Sequence, residues 1–532
     1  MNMPTVAKQN RNLVLAAMIF AVAMTFIDQT IVSIAAPNIQ RELHLTNTGM
    51  QWAINAYLLA LAALFAFGGR LADTVGHRKM VVIGVVVFAG ASALCGLTPV
   101  GSFAEPWITT FRAIQGAGGA VMFPAALGIV VQTFEMRERG KALALFFGIA
   151  GGLTALGPIL GGFLTEWTWR AIFWVNIPVA VIALVLITIS RPVTAHKWAP
   201  IDFRGLALIV GGVAASIVGF QQAGIWGWSN PGTILCVVAG VAMMVSFAVV
   251  EYRTTAPLMQ VRIFRIRAFA VENLVLGIAM LSFIPVFFFA SEYAQISLDK
   301  KAQQAGLFLL YFFLGFVVTS QIGGRILDRR GAKRPVVIGC AVAAVGFWLW
   351  AGKVTGLNFS AQVWPVVVAG AGMGFMLTPA STDAVNRASR LSYGEATGIT
   401  QTVRNYSASL GLAILGTILV SQLRSHVTTS LTHLGLSHSK AAAEAAKIAQ
   451  FQSSAVSSSN SIASIPHFIR LDFADATHTV FIVMAVFMAA AAVVALFGLQ
   501  QGVQSSEDES LQAAKAPNEV VGSVSGTDES PI

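Results

Sequence analysis

The chain has 532 residues, of which 56% are hydrophobic and 11% are charged, and its mean hydropathy is +0.72. Soluble domains carry about 25% charged residues, so this composition excludes an ordinary soluble domain and indicates a protein that lies largely in a membrane. The formal net charge of +10 would fit a nucleic-acid partner, but the basic residues lie between apolar segments. The three cysteines lie inside apolar segments, and their spacing indicates neither a disulfide framework nor a metal site.

Fourteen apolar segments, each long enough to cross a bilayer as a helix, follow one another along the chain. We predict spans at 12–36, 50–68, 80–98, 107–131, 141–165, 169–190, 204–222, 232–250, 268–290, 303–323, 335–352, 362–381, 395–421 and 476–500. The first segment follows Lys8 and Arg11, but it is longer than the apolar core of a signal peptide, so we expect a retained helix. The predicted fold class is therefore an all-α integral membrane protein.

The basic residues predict the topology. Most lysines and arginines outside the spans lie at the N-terminus and in every second loop, which places both termini in the cytoplasm of a multi-pass protein of the cell membrane. This distribution accounts for the positive charge without a nucleic-acid partner. Segment 501–532 is acidic and rich in Ser, Gly and Pro, so we predict a disordered cytoplasmic tail.

A polar turn occurs twice in the chain. Gly69–Lys79 and Gly324–Arg334 share the pattern Gly-Arg-x-x-Asp-x-x-Gly-x-basic-basic, and each lies between two apolar segments. The repeat predicts two six-helix bundles, 12–190 and 268–500, with a helical hairpin at 204–250 inserted between them. Such duplicated bundles move against each other in secondary transporters. We therefore assign a conformational switch at the cytoplasmic face to Gly69, Asp73, Gly76, Arg78, Asp328 and Arg329.

A long loop, 422–475, separates the last two spans on the extracytoplasmic side. It is rich in Ala, Ser and His, and its segment 440–450 is typical of a short helix. The histidines in and beside this loop match no metal-ligand spacing, so we predict no metal site.

Asp28 is the acidic residue that lies deepest within a predicted span. An ionisable group in hydrocarbon costs several kcal/mol, so such a residue is a functional candidate. Arg112 lies at a similar depth in the same predicted bundle. A nearby guanidinium lowers the pKa of a carboxyl group, whereas desolvation raises it, and this competition suits the uptake and release of a proton. A purely structural ion pair is the alternative. Glu272 and Glu292 lie near predicted span ends, where snorkelling or a wet cavity would account for them.

The fifth span contains many glycines and a proline. Gly157, Gly161 and Gly162 would allow close contact with other helices, and Pro158 would bend the span. Tight packing in a rigid bundle is the alternative interpretation of the same residues.

Arg404 is a second basic residue inside a predicted span, and its role is either structural or part of a cargo cavity. Aromatic side chains suit planar or cationic cargo, although each is as readily explained by packing. The candidate cavity residues are Trp52, Tyr57, Phe283, Phe287, Tyr311 and Arg404.

These motifs resemble those of the major facilitator superfamily, in particular the fourteen-span drug:proton antiporter branch known as the EmrB/QacA group. Gly69–Lys79 and Gly324–Arg334 are similar to the superfamily's loop motif in each half. Phe26–Pro37 is similar to the first-helix motif of the branch, Phe111–Gly116 to the fourth-helix motif, and Gly157–Gly162 to the antiporter motif of the fifth helix.

The resemblance implies the major facilitator fold, alternating access and the exchange of drugs for protons. It implies proton coupling at Asp28 and Arg112, and stabilisation of the outward-facing state by Asp73. The chain departs from the family pattern at Thr74, where arginine is usual, and at 405–407. The tenth span contains no acidic residue, unlike relatives that carry divalent cations.

We therefore predict a secondary transporter that exports lipophilic cationic or neutral molecules, with the proton gradient as energy source and no cofactor. The expected partners are the cargo, protons and membrane lipids; an accessory export partner is left open. An importer or symporter on the same fold is the nearest alternative. An ATP-driven pump would need Gly-x-x-x-x-Gly-Lys-Ser/Thr, and the sequence contains no such segment, so we predict no ATP. An enzyme or receptor function is left open only for the loop 422–475. The rest of the chain indicates a transporter, so we predict that the protein is not an enzyme.

Overall fold

The structure is a computed structural model. It describes residues 10–135, 138, 142, 143, 145, 146, 149, 152–192, 200–255, 257–387, 393–450 and 466–502. Within these residues the secondary structure is helical and contains no strand, as the sequence predicts.

The N-terminal bundle comprises seven described helices. These are α1 (Arg11–Leu43), α2 (Asn47–Val75), α3 (His77–Gly96), α4 (Ala104–Thr133), α5 (Leu156–Trp167), α6 (Ala171–Trp174) and α7 (Asn176–Ser190). The hairpin follows with α8 (Phe203–Trp226) and α9 (Pro231–Arg253), and then a single 3-10 turn at Val261–Arg265. The C-terminal bundle contains α10 (Arg267–Ile296), α11 (Ala302–Arg330), α12 (Lys333–Val354), α13 (Phe359–Asn386), α14 (Tyr393–His433), α15 (His438–Gln450) and α16 (His467–Gly498).

Thirteen helical segments among the described residues are long and apolar enough to cross a membrane, and they match thirteen of the fourteen predicted spans. The remaining prediction, 141–165, falls partly outside the described residues, and α5 forms its described end. The helix predicted at 440–450 is confirmed as α15. The thirteenth span is longer than predicted, because α14 continues past residue 421 to His433. The predicted tail lies outside the described residues beyond 502.

Local sequence explains where several helices begin and end. The Thr46 hydroxyl accepts a hydrogen bond from the Gly49 amide at 2.9 Å and so caps the first turn of α2. At the other end of α2, Gly76 has a φ of 108°, and the corresponding Gly331 after α11 has a φ of 79°. Both turns of the repeat therefore need glycine for their backbone conformation.

The two bundles meet along three pairs of helices. α2 packs against α14, α5 against α11, and α1 against α10. The inserted hairpin packs on one side of this interface, because α8 contacts both α2 and α14.

We call the face that carries the repeated turns 69–79 and 324–334 the turn face, and the face that carries 422–475 the loop face. Near the loop face the Gln295 amide donates to the Ile34 carbonyl at 2.9 Å, which joins α10 to α1. The Asn47 amide donates to the Ala449 carbonyl at 3.0 Å, so α15 is held against the start of α2. The bundles are thus in direct contact at the loop face.

Candidate functional site

The charged pair predicted in the N-terminal bundle is in direct contact. Arg112 Nη1 in α4 donates to Asp28 Oδ2 in α1, and each residue is only 1% exposed. Both side chains therefore depend on each other for charge compensation.

Other groups complete the surroundings of this ion pair. Gln115 Nε2 donates to the second carboxylate oxygen of Asp28 at 2.9 Å, and Arg112 Nη1 also donates to Gln115 Oε1 at 2.8 Å. Arg112 Nε donates to the Ala53 carbonyl at 3.0 Å, and the guanidinium lies 4.3 Å from the centre of the Tyr57 ring. The sequence analysis did not identify Gln115. The spacing of three residues from Arg112, which places both on one face of α4, was the available signal.

Residues 28, 29 and 30 of α1 face three different parts of the molecule, because successive helical residues point about 100° apart. Asp28 contacts α4, whereas Gln29 lines a cavity between the bundles. The Thr30 hydroxyl donates to the Thr154 carbonyl, just before α5, at 2.9 Å. One helical turn of α1 thus touches the ion pair, the cavity and the glycine-rich fifth span.

The cavity is small and lies where α1, α10 and α14 meet. Both bundles contribute to it, and its walls combine amide, apolar and cationic side chains. The lining residues are Phe26, Gln29, Met280, Ile284, Gln401, Arg404, Asn405 and Ala408.

Of the predicted cavity residues, Arg404 lines this cavity and the aromatic residues lie elsewhere. Tyr57 is buried beside Arg112, and its hydroxyl donates to a backbone carbonyl of α1. Phe283 and Phe287 are buried in a cluster of phenylalanines within the C-terminal bundle.

The other two predicted aromatic residues are also in packing contacts. Trp52 packs against the apolar cluster that the hairpin forms with its neighbours, and the Tyr311 ring lies 6.5 Å from that of Phe359.

The antiporter-like segment uses two faces of α5. A Cβ atom at Gly161 would lie 2.9 Å from the Ile31 carbonyl oxygen, so this glycine faces α1, and Gly157 contacts α1 in the same way at Thr30. A Cβ atom at Gly162 would lie 2.8 Å from the Cα atom of Gln303 in α11. α5 therefore lies between α1 of its own bundle and α11 of the other bundle, and it contacts both.

Pro158 explains why the helix is interrupted before α5. Proline has no amide proton, so the carbonyl four residues earlier, that of Thr154, loses its helical partner. The chain has a turn at residues 154–155, and the Thr154 carbonyl accepts hydrogen bonds from the Thr30 hydroxyl at 2.9 Å and from the Gly157 amide at 3.3 Å. On its other side, the Pro158 carbonyl is in close contact with Gly306 of α11.

The repeated turns lie together on the turn face. Asp73 Oδ1 is 3.4 Å from His77 Nε2, and 49% of the Asp73 side chain is exposed. A Cβ atom at Gly69 would lie 3.6 Å from Pro124, an ordinary contact. Arg78 is half-buried.

In the second copy of the turn, Asp328 and Arg329 are exposed. The contact between Asp73 and His77 thus lies within the N-terminal bundle.

Of the two explanations expected for Glu272 and Glu292, snorkelling from span ends was wrong. Glu272 is 0% exposed and Glu292 is 1% exposed, and among the described residues no hydrogen-bond donor contacts either carboxylate, although the Glu272 carboxyl lies beside that of Asp383. α10 extends beyond the predicted span to Ile296, and the 3-10 turn and α16 cover its two ends. Asp28 is therefore not the only acid buried in the bundle.

Comparison with known proteins agrees with this arrangement of helices. Residues 18–412 match the model of the Major Facilitator Superfamily. The chain belongs to the major facilitator superfamily.

Among curated members of the superfamily, the Tetracenomycin C resistance and export protein of Streptomyces glaucescens is 33% identical, over 77% of this chain and 76% of that protein. The Puromycin resistance protein pur8 of Streptomyces alboniger is also 33% identical, over 76% of this chain and 81% of the relative. The Multidrug transporter protein MdtP of Bacillus subtilis strain 168 is 27% identical over 97% of this chain and 99% of its own length.

A solved structure with the same fold is a bacterial homologue of the human lysosomal transporter Spinster in an inward-facing, unoccupied conformation. It matches with a TM-score of 0.61 at 15% identity, and covers 92% of this chain and 97% of that one. This major facilitator protein is thus a multi-pass membrane protein of a transporter superfamily.

Proposed function

We propose that this protein exports lipophilic small molecules from the cytoplasm across the cell membrane, and that protons moving the opposite way drive the export. The observation that carries the proposal is the position of residues 28–30 on α1. Asp28 pairs with Arg112, its neighbour Gln29 faces the cavity, and Thr30 bonds to the fifth span. A change in the charge of Asp28 therefore acts on the same helical turn that borders the cargo.

The names of the relatives support drug export. They include a resistance and export protein for tetracenomycin C, a puromycin resistance protein and a multidrug transporter. Two of these relatives match about three quarters of this chain.

Proton uptake would act first on the ion pair. When Asp28 takes up a proton, its negative charge disappears and Arg112 is left as a buried, uncompensated cation. Loss of one partner from a buried ion pair costs about 3–5 kcal/mol. At about 1.4 kcal/mol per factor of ten, this is sufficient to shift the balance of two conformations a hundredfold or more.

The change would reach the bundle interface through α1. Thr30 holds the interrupted backbone before α5, and α5 in turn contacts α11 through Pro158 and Gly162. A shift of α1 relative to α4 therefore moves a helix that closes the loop face. This coupling of one protonation event to opening at one face is the requirement for alternating access.

In this proposal both termini lie in the cytoplasm, so the turn face is cytoplasmic and the loop face is extracytoplasmic. The proton gradient supplies the energy, and neither ATP nor a bound cofactor takes part. The switch residues of the turn face, including Asp73, set the balance of conformations and do not contact cargo.

Everted membrane vesicles test the function. Their interior is acidified by respiration and followed with a pH-sensitive dye, and tetracenomycin C is then added. An antiporter releases protons as cargo enters, so the dye signal recovers; an importer or symporter gives no such release. Asp28→Asn should abolish the recovery, whereas Glu444→Gln, which changes an acid paired with Lys447 on the loop face, should retain it. Proton release by Asp28→Asn vesicles at the wild-type rate would contradict the proposal.

A further inference from the structure

Arg404 carries a positive charge into the cavity without a protein partner. Among the described residues, no carboxylate lies within 4 Å of its guanidinium, and no hydrogen bond to its side chain is present. Arg112, the other arginine deep in the bundle, is fully paired by Asp28. A charged side chain within the hydrocarbon region normally pairs or faces water, so the Arg404 charge is free to pair with an anionic molecule that enters the cavity and displaces water.

The rest of the cavity wall cannot neutralise this charge. Its other polar groups are the amides of Gln29, Gln401 and Asn405, which are dipoles without net charge. The remaining lining residues are apolar. A guanidinium surrounded by amides and apolar side chains matches a molecule with a hydrophobic body and one anionic oxygen group, which arginine can bind through two parallel hydrogen bonds.

We propose that Arg404 binds the anionic group of the cargo, and that the cargo class of this protein is lipophilic organic acids with a carboxylate or an ionised phenol. The proposal deepens the exporter function above and rests on it. It differs from the cationic or neutral cargo expected from the sequence, because that expectation relied on aromatic residues that lie in packing contacts outside this cavity.

Two consequences follow for transport. A bound anion neutralises Arg404, so the occupied cavity carries no net charge from this residue when the bundles move. A lysine at this position would keep the charge but lose the paired geometry, since its ammonium group is a point donor. The charge of the cargo and the shape of the cation can therefore be tested separately.

Binding of three fluorescent probes that differ in one group tests the proposal. Pyrenebutyrate is an anion, its methyl ester is neutral and pyrenebutylamine is a cation. The purified full-length protein is placed in lipid nanodiscs at neutral pH without any gradient, and empty nanodiscs give the background. Because a hydrogen bond to a charged group contributes about 1.5–3 kcal/mol, wild-type protein should bind pyrenebutyrate roughly tenfold to a hundredfold more tightly than the ester, and more tightly still than the amine.

Arg404→Gln should remove the preference for pyrenebutyrate over its ester, and Arg404→Lys should keep part of it. Arg424→Gln is the matched control, because Arg424 lies on the same helix but is exposed near the loop face. Its preference should equal that of the wild type. Thermal unfolding in the same nanodiscs shows whether each variant is folded. If Arg404→Gln is unfolded, the proposal is tested by the ratio of the affinities for pyrenebutyrate and its ester in the wild-type protein and in Arg404→Lys.

A wild-type protein without a preference for the carboxylate, whether all three probes bind equally or none binds, would overturn the proposal. So would an Arg404→Gln variant that is folded and keeps the full preference. This result is separable from failure of the exporter function, since the binding assay involves no proton movement. Antiport in vesicles without an anion preference would refute the cargo class alone, whereas an anion preference without proton release would refute the antiport alone.

Discussion

The contact between α5 and α11 at the loop face gives a prediction that can be worked out from the structure. Gly162 is a position of α5 at which the two helix backbones approach closely: an added Cβ atom would lie 2.8 Å from the Cα atom of Gln303 and 3.1 Å from the Ala302 carbonyl oxygen. Both atoms belong to the backbone and cannot rotate away. Gly162→Ala must therefore separate the helices, at a cost of about 1–3 kcal/mol for overpacking.

The added methyl group destabilises only conformations in which α5 and α11 touch. If the loop face opens during transport, the cost falls on the closed arrangement, and the balance shifts towards the open one by roughly fivefold to 150-fold. Gly161→Ala is the matched control. Its Cβ atom would be equally crowded, at 2.9 Å from the Ile31 carbonyl oxygen, but within the N-terminal bundle.

Double electron–electron resonance between two spin labels measures the opening. Val100→Cys and Thr355→Cys place one label on each bundle at exposed positions of the loop face, in a protein whose three native cysteines, Cys95, Cys236 and Cys340, are replaced. We expect a longer distance to gain population in Gly162→Ala, and the distribution of Gly161→Ala to remain that of the parent while its thermal stability falls. An unchanged distribution in folded Gly162→Ala, or the same shift in both variants, would refute the reasoning.

Two further variants test the connections around the site. Thr30→Val should lower thermal stability and slow transport, because the Thr154 carbonyl then keeps only the hydrogen bond from the Gly157 amide and loses one worth about 0.5–1.5 kcal/mol. Thr133→Val, whose hydroxyl bonds within its own helix, should do neither, and equal behaviour of the two variants would contradict the role of Thr30. Asp73→Asn should slow transport only a few-fold and leave the affinity for the probes unchanged. The effect should be small because the contact of the half-exposed Asp73 side chain with His77 contributes about 1 kcal/mol or less. Lost affinity at unchanged turnover would argue for cargo contact instead.

The sequence indicated Asp28 and Arg112 as partners, because a membrane leaves few alternatives for buried charges, but it left open whether they are in contact. Burying either Asp28 or Arg112 alone in the membrane costs free energy. Helix geometry places the two residues at similar depth, and contact between them offsets this cost. Gln115 completes the pair through side-chain geometry that the spans alone do not reveal. Apolar length likewise predicted thirteen helices that the structure describes.

The cavity could not be predicted in the same way. An aromatic residue such as Phe287 contributes the same hydropathy whether it packs in a bundle or lines a cavity, and only the rotation of its helix decides. Glu272 and Glu292 were misjudged because hydropathy locates the end of an apolar segment, whereas the elements that cover the helix end determine burial. The unpaired state of Arg404 depends on which residues fail to approach it, which requires the three-dimensional structure.

The central claim is that Asp28 carries the coupling proton. It is tested most directly by comparing two activities of Asp28→Asn in proteoliposomes: exchange of labelled for unlabelled cargo without a gradient, and uphill accumulation of cargo driven by a pH gradient. The single carbonyl oxygen of asparagine can accept a hydrogen bond from only one side of this site, from Arg112 or from Gln115, and the side chain cannot take up or release a proton. We expect exchange to persist while uphill accumulation is lost. Accumulation by Asp28→Asn at the wild-type rate and to the wild-type level would contradict it.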